Sequence, residues 1–365
     1  MHDLDLPMTD AWRVIDSGLR EPAQHIALDR ALLEACNAGE IAPTLRFFRH
    51  TPSILLASRQ PLVHECQPHV IGSSRPGIQR RLTGGTTWFC AAAHLGFSLY
   101  FRRPDARPPD MQAIGRQVCT VVTAALAAIG VDARVRGARE IAVDGRQIGV
   151  VGGVSEGAGL LYQGVLHFDF DASEFVRASR NPGEGLGQRA TAAAAARICG
   201  INALTGRRVD VALLKDRMIA AIESEFGIEC HDNELSLTEH ARFEHALAGI
   251  ASPAWIDLVP AAASDVALEA SEGSRSFVAH VLADRVHRRI KSVWFVRGTE
   301  LTLGSGALEL EAMLADTAYE RIERNVETFF ASRGGAGGCS SVEIIAVLRR
   351  ALQLPLVVYP GAPRR

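Results

Sequence analysis

The spacing of apolar residues changes several times along the chain, and each change predicts a new element. Residues 24–35 repeat apolar positions at three- and four-residue intervals, which is the spacing of one helix face. The same spacing predicts helices over 111–129, 209–226 and 342–352. These segments alternate with shorter apolar runs, which are too brief for helices of this kind.

The shorter runs are rich in branched and aromatic residues, which favours strands. They lie at 44–48, 53–58, 140–143, 147–151 and 160–170. Asp144-Gly145 separates two of them and predicts a tight hairpin turn. Because strands and helices mix without regular β-α-β alternation, the pattern predicts an α+β fold with a mixed central sheet flanked by helices.

A second group of elements follows a stretch in which the pattern loosens. Strands are predicted at 277–282 and 290–297, with helices at 307–314 and 319–330. With 365 residues the chain is long enough for two domains. We therefore predict a main domain over 1–230, a linker region over 231–264 and a smaller α+β domain over 265–365.

Composition excludes several classes of protein. A net charge of −2 argues against a dedicated nucleic-acid binder. The longest uncharged apolar run, 118–131, is too short to cross a bilayer, and the acidic N-terminus lacks the basic start of a signal peptide. Seven cysteines without a Cys-x-x-Cys pair predict neither a disulfide framework nor a metal site. We expect a cytoplasmic protein without a membrane or nucleic-acid partner.

Two segments carry candidate chemistry. Arg80-Arg81-Leu82-Thr83-Gly84-Gly85 joins two positive charges to a turn with exposed amides, which suits a phosphate or carboxylate ligand. An ordinary hairpin loop with solvated arginines explains the same residues equally well. Residues 145–164 hold seven glycines, which indicates a strand that closely approaches another backbone or must move.

The order of these segments resembles the lipoate–protein ligase, octanoyltransferase and biotin ligase superfamily, most closely the lipoate–protein ligase A type. The likeness covers residues 12–226 and is carried by 12–18 with 27–33, by 80–85, and by 140–148 continuing to 164–169. Residues 290–297 and the helices after them are similar to the small accessory domain of these enzymes.

The resemblance implies attachment of lipoate or octanoate to a lysine of a small lipoyl carrier domain. Family ligases form an acyl-adenylate from ATP with Mg, whereas related transferases take octanoyl from acyl carrier protein through a cysteine thioester. The positions that match the family's ligand-binding motifs are Arg80, Arg81, Thr83, Gly84, Gly85, Thr86, Glu140, Gly149, Gly164 and His167. His167 also lies in an apolar strand, where a histidine of the core or its rim is the simpler interpretation.

The chain departs from the family where the family keeps a lysine that neutralises charge on the acyl carbonyl. Gln147 occupies that position, and only Lys215 and Lys291 remain among 39 basic residues. Arg146 is adjacent, but successive strand residues face opposite sides, so it reaches the site only if a one-residue bulge intervenes. Gln147 and Arg146 are therefore both catalytic candidates.

The family's motif histidine is replaced by Cys90, which is the third catalytic candidate. As a thiolate near Arg80 and Arg81 it would accept an acyl group, and as a thiol it would fill space between Phe89 and Ala91. The second interpretation is favoured. Three hypotheses follow: an acyl ligase or transferase with an altered site, a non-catalytic binder of lipoate or of a lipoyl domain, and a transferase that uses Cys90.

Overall fold

The computed structural model describes most of the chain, and the statements below concern those residues alone. They are residues 11–58, 60, 62–66, 77–103, 109–137, 139–178, 188–258, 265–272, 277–285, 287–297, 310–311, 313–332 and 340–354. The chain divides into two compact units, one of residues 1–179 with 194–261 and one of residues 180–193 with 262–365. Of the helix predicted at 307–314, residues 307–309 and 312 lie outside the described residues, and the other four are helical.

The first unit contains nine helices among the residues described, one of which begins in the segment assigned to the second unit. They are α1 (Pro22–Ala38), α2 (Leu62–Glu65), α3 (Met111–Ala127), α4 (Ala172–Ala178), α5 (Gln188–Arg197), α6 (Ile201–Thr205), α7 (Val211–Phe226), α8 (Leu237–Ile250) and α9 (Pro253–Ile256).

The first unit has eleven strands among the described residues. They are β1 (Ala11–Arg20), β2 (Thr44–His50), β3 (Ser53–Leu56), β4 (Gly77–Arg80), β5 (Trp88–Cys90), β6 (Leu95–Arg102), β7 (Arg134–Arg136), β8 (Glu140–Val143), β9 (Arg146–Glu156), β10 (Gly159–Leu166) and β11 (Glu229–Asp232). The five predicted runs overlap β2, β3, β8, β9 and β10. The turn between β8 and β9 has positive φ at Asp144 and Gly145, so the predicted Asp-Gly hairpin turn is confirmed.

Eight strands form a mixed sheet in the order β11-β1-β2-β6-β10-β9-β8-β7. β11, β1 and β2 pair in parallel, and the remaining neighbours are antiparallel. A separate three-stranded sheet has the order β4-β3-β5. With helices packed against these sheets, the predicted α+β class is confirmed.

The eight-stranded sheet has two differently covered faces. On the core face, Phe97, Val151 and Tyr162 pack with side chains of α3 and α7 in the largest apolar cluster. On the opposite face, here named the loop face, Tyr100 and Leu161 pack against α1. The loop face also receives the small sheet, through a cluster of Leu55, Trp88, Cys90, Val150 and Val165.

Helix α1 begins and ends where its sequence provides caps. Glu21 and Gln24 exchange hydrogen bonds in a capping box, and Pro22 occupies the first turn, where its missing N–H costs nothing. Gly39 ends the helix in the left-handed region with φ of 74°. The helix therefore presents a fixed face to the sheet, with Asp29 buried in it.

Residues 231–264, predicted as a linker, contain two helices that belong to the first compact unit. α8 packs on α1, and its Glu239 forms a buried ion pair with Arg13 of β1. Trp255 of α9 donates from Nε1 to the carbonyl of Arg80 at 2.8 Å. The described part of this segment thus extends the first unit instead of running free between two units.

The second unit is a smaller α+β assembly. Its strands β12 (Asp265–Glu272), β13 (Phe277–Asp284), β14 (Arg289–Arg297) and β15 (Thr317–Ala318) form one antiparallel sheet. A short 3₁₀ turn (Tyr319–Arg321) leads into α10 (Ile322–Ser332), and α11 (Ser341–Ala351) follows. Ile290, Val326 and Leu348 lie in its own apolar core. No helix of the described residues has the length and apolar character needed to cross a membrane.

Candidate functional site

A one-residue bulge in β9 decides which side chains reach the loop face. Val150 lies opposite Glu140 of β8 and Gly149 lies opposite Ile141, but Gln147, not Ile148, lies opposite Ala142. Because Glu140 and Ala142 share a face of β8, Gln147 shares the loop face with Val150. Ile148 is the extra residue, and its side chain is buried in the main core.

Arg146 lies on the other face. Its partner across the strands is Val143, which packs against the core-face cluster. A one-residue bulge was the condition under which Arg146 would reach the site. The bulge is present, yet it turns Gln147 toward the loop face and Arg146 away from it. In this arrangement the Arg146 side chain leaves the sheet on the face opposite Gln147, and its catalytic role stays a prediction.

Arg81 is fully buried and its guanidinium is already engaged. It donates to the carbonyl of Leu55 at 2.7 Å, to the carbonyls of Gly84 and Thr86, and from Nε to Thr83 Oγ1 at 3.0 Å. Its Cζ atom lies 3.9 Å from the Trp88 ring centroid. Burial lowers the pKa of this guanidinium to about 9.

Arg80 is also buried and also bonds to carbonyl oxygens. It donates to Ala57 at 2.9 Å and Gln60 at 2.7 Å, and on its other side to Trp255 and Ile256 of α9. In this geometry carbonyl oxygens occupy both guanidinium groups, and binding of a phosphate or carboxylate by them stays a prediction. Their donors hold three loop segments together instead, which satisfies carbonyls that would otherwise be buried without partners.

Four residues that the sequence did not single out for the site form a buried polar network under the Arg81 loop. Asp29 Oδ1 accepts from Arg46 Nη2 at 2.5 Å and from the Tyr100 hydroxyl. Its Oδ2 accepts from Gln163 Nε2 at 3.1 Å. Gln163 Oε1 in turn accepts from Thr83 Oγ1 at 2.8 Å, so Thr83 is tied to the sheet through Gln163. For Asp29, Arg46 and Tyr100 the sequence signal is a polar side chain within an otherwise apolar element, whereas Gln163 stands at the histidine position of the family's His-Gly pair.

Glycine is required where the Arg81 loop meets β9. A Cβ atom on Gly152 would lie 2.6 Å from the Gly84 carbonyl oxygen. The Gly84 amide donates to the Gly153 carbonyl at 3.3 Å, and Gly85 has φ of 107°. The loop carrying Gly84, Gly85 and Thr86 therefore touches the strand directly, as the glycine-rich segment predicts.

Two other predicted ligand-binding glycines serve packing on the core face. A Cβ atom on Gly164 would lie 2.5 Å from Phe97, and one on Gly149 would lie 2.6 Å from Leu166. Both positions face away from the loop side of the sheet. We correct their assignment accordingly: the lack of a side chain at these two positions makes room for neighbouring core residues.

Cys90 lies in β5 with 2% of its surface exposed, packed with Leu55 and Trp88. Burial raises the pKa of its thiol to about 12, and the opposing influence of Arg81 is smaller. The thiol therefore stays protonated at neutral pH and is not a ready nucleophile. Its burial and packing support the filler interpretation, and the catalytic assignment of Cys90 stays a prediction.

His167 pairs with a second buried histidine. Its Nδ1 lies 3.4 Å from Nδ1 of His94, whose Nε2 lies 2.7 Å from the carbonyl of Asp169. The amide of Ala91 donates to His94 Nδ1, so the network fits a neutral ring that donates from Nε2. Burial lowers the pKa of both histidines, of His167 well below its usual range. This geometry makes His167 a buried structural histidine.

Glu140 lies on the loop face but is paired. Arg136 donates to it from Nε at 2.7 Å and also reaches the Gly145 carbonyl. Lys215 offers no replacement for the family's lysine there. Lys215 of α7 is 2.5 Å from Asp16 Oδ2 and near the Phe47 ring on the core face, and Lys291 belongs to the second unit.

The loop face thus carries a half-buried neutral amide, Gln147, an apolar cluster and a tightly held turn at Gly84 and Gly85. Such a surface suits an apolar acyl chain with a carbonyl that accepts one hydrogen bond. Within the described part of the chain, no group of three His, Cys, Asp or Glu side chains is placed to hold a metal ion.

Comparisons with known proteins address the same region. The family model of the lipoyl protein ligase A/B catalytic domain matches residues 21–223. Octanoyltransferase LipM of Moorella thermoacetica is 24% identical over 276 residues, which are 68% of this chain and 98% of the relative.

Two solved structures share the fold of the first unit at low sequence identity. The bipartite lipoate protein ligase of Thermoplasma acidophilum, described with its E2 lipoyl domain, aligns with a TM-score of 0.60 and 18% identity, covering 69% of this chain and 98% of its own. A lipoate–protein ligase A bound with ATP aligns with a TM-score of 0.58 and 17% identity, covering 68% and 98%.

Proposed function

Because the chain belongs to the lipoyl protein ligase A/B catalytic domain family, we propose that it attaches a lipoyl or octanoyl group to the lysine of a lipoyl carrier domain. The match over residues 21–223 carries the proposal, since it spans the glycine turn, the β8–β9 hairpin and Gln147 together. The full-length likeness to an octanoyltransferase supports the same substrate class.

Two acyl donors fit this family. A ligase takes the free acid and ATP, as the ATP-bound relative suggests, and Mg then enters with ATP as substrate. A transferase takes octanoyl from acyl carrier protein, as the name of the Moorella relative suggests. Cys90 is poorly suited to the transferase route, because a transferase needs a thiolate and Cys90 is a buried thiol.

Gln147 is the group on the loop face that is suited to meet the acyl carbonyl. Its amide donates one hydrogen bond but supplies no charge, so it stabilises a developing oxyanion less than a lysine does. Loss of one such charged group typically slows a reaction about 10²–10³-fold. We therefore expect slow attachment.

A non-catalytic role is the second candidate, and one observation favours it. Gln147 is neutral, and the described loop face offers neither a lysine nor a thiolate that replaces the missing charge. In this case the chain binds lipoate or a lipoyl domain and turns nothing over. A cytoplasmic location and an accessory role for residues 265–365 stay predictions under either function.

The deciding experiment is intact-mass measurement of a lipoyl domain after incubation with this protein. One arm supplies lipoate or octanoate with ATP and Mg, and the other supplies octanoyl–acyl carrier protein. A mass increase on the carrier supports attachment and identifies the donor. Binding of lipoate by calorimetry without any mass increase in either arm supports the non-catalytic role and excludes attachment.

A further inference from the structure

The buried polar network lies under the turn of residues Thr83–Thr86. One side chain, that of Asp29, determines which groups of this network donate hydrogen bonds and which accept them. Asp29 of α1 has 1% of its surface exposed and faces Arg46, whose side chain is fully buried. A carboxylate only accepts hydrogen bonds. Every group that faces it must therefore present an N–H or an O–H.

Gln163 meets this requirement with its amide nitrogen. Nε2 donates to Asp29 Oδ2 at 3.1 Å, which leaves Oε1 as the atom that faces Thr83. The Thr83 hydroxyl uses its one hydrogen toward Gln163 at 2.8 Å and accepts from Arg81 Nε at 3.0 Å. If the Gln163 amide were flipped, its oxygen would face the Asp29 carboxylate, and two acceptors would repel each other. Its N–H groups would then face the Thr83 hydroxyl, which already accepts from Arg81 Nε.

The series of hydrogen bonds that begins at Asp29 ends at the turn that touches β9. Arg81 donates to the carbonyls of Gly84 and Thr86, and Gly84 rests against Gly152 and Gly153. The orientation of the Gln163 amide therefore determines where the Thr83 hydroxyl points its hydrogen. The Thr83 oxygen in turn positions the Arg81 guanidinium, which holds the turn.

We propose that Gln163 is a positioning residue that holds the Thr83–Thr86 turn in its acyl-binding shape through a one-way chain of hydrogen bonds from Arg81 to Asp29. The inference rests on the proposed function, because it assigns the turn to binding of the acyl donor. Gln163 acts through Thr83 and touches no substrate, so its loss raises the KM for the acyl donor and leaves kcat nearly unchanged.

The variant Gln163→Glu tests the donor-to-acceptor direction of these hydrogen bonds. The introduced carboxyl group has the shape of the amide, but when ionised it sets a second negative charge against Asp29. When protonated it donates to Asp29 and accepts from Thr83, as the amide does. The charged and titratable groups of the surrounding network are Asp29 and His25 of α1, Arg46 of β2, Tyr100 of β6 and Arg81 of the loop.

Burial and Asp29 both raise the pKa of an introduced carboxyl group. At about pH 8 we expect KM for octanoate to rise about tenfold to a hundredfold, the size expected for a lost hydrogen bond to a charged group. Toward about pH 6 the KM of the variant should return to within about threefold of wild type, as the carboxyl group takes up its proton. Gln163→Leu is the matched control, because leucine cannot form the hydrogen bonds to Thr83 and Asp29 at any pH.

Amide hydrogen exchange of Gly84–Thr87 without substrate separates the two proposals. Protection factors corrected for intrinsic exchange should fall in Gln163→Glu at high pH and recover at low pH. If wild type neither binds nor transfers the acyl group, the proposed function fails while the exchange result still tests the positioning. Unchanged protection and KM at high pH, or a loss that low pH does not restore, overturns the role of Gln163.

Discussion

Gln147 and Arg146 are neighbours in the chain, yet their side chains leave the eight-stranded sheet on opposite faces. The bulge at Ile148 produces this arrangement, since it shifts the register between Ile141 and Ala142 of β8. Without the extra residue the two side chains would exchange faces. One inserted residue therefore decides that a neutral amide, and not a guanidinium, lies beside Val150.

Replacement of Gln147 by lysine should raise the rate of acyl attachment. The substitution places a positive charge on the loop face, where it stabilises charge developing on the acyl carbonyl. We expect kcat to rise up to about 10²-fold, measured by intact mass of the carrier over time. Arg146→Lys is the matched control: it adds a lysine one position away on the core face and should change the rate less than about threefold. Equal gains in both variants would contradict the assignment of faces.

The Cys90 thiol should resist alkylation in the folded protein. Its pKa of about 12 and its burial leave almost no thiolate at neutral pH, and thiolate is the reactive form. Peptide mapping after iodoacetamide treatment should find Cys90 unmodified in the native state and modified after denaturation. Cys90→Ala should keep acyl attachment within about twofold of wild type. Loss of attachment in Cys90→Ala at unchanged stability would revive the thioester route.

Gly152→Ala should destabilise the first unit. The added methyl group would lie 2.6 Å from the Gly84 carbonyl oxygen, and neither backbone segment yields easily. We expect a loss of about 1–3 kcal/mol in the free energy of unfolding, measured by denaturant titration. Gly249→Ala in α8 is the control, because no atom lies within 4 Å of its Cβ position. That change should stabilise by about 0.5–1 kcal/mol.

Stability should fall as the pH is lowered through the range in which unfolded histidines gain a proton. Burial lowers the pKa of His50 to about 3 and that of His167 well below its ordinary value. Between about pH 6.5 and pH 3 the unfolded chain therefore binds more protons than the folded one, so acid favours unfolding.

The measurement is the free energy of unfolding by denaturant at several pH values. His50→Leu should flatten its pH dependence in this range. An unchanged slope in His50→Leu would show that the His50 ring does not remain neutral in the folded state.

Periodicity was sufficient for several elements of the first unit, because each of these is decided within a few residues. The helix expected at 24–35 appears as Pro22–Ala38, and that at 111–129 as Met111–Ala127. The Asp144-Gly145 turn is equally local, since its positive φ values follow from these two residue types. The α+β class then follows from the order of the elements.

The spacing of apolar residues was insufficient where contacts between distant segments decide whether a helix forms or which atoms a side chain binds. Residues 231–264 lack strong periodicity, but α8 gains stability by packing on α1 and through the pair of Glu239 with Arg13. Arg80 and Arg81 have the composition of an anion site, yet carbonyls from distant segments take up their donors. A sequence shows the charge of an arginine but not which oxygens the fold brings to it.

The sequence by itself determined the family, the order of the elements, and the replacement of a lysine by Gln147. Only the tertiary structure decided which face Gln147 occupies, that Cys90 is a buried thiol, and that Gln163 joins Thr83 to Asp29. The physical reason is that residue type and spacing are properties of one segment, whereas register, burial and hydrogen-bond partners depend on how segments pair: β8 with β9 for Gln147, and Asp29 with Gln163, which are 134 residues apart.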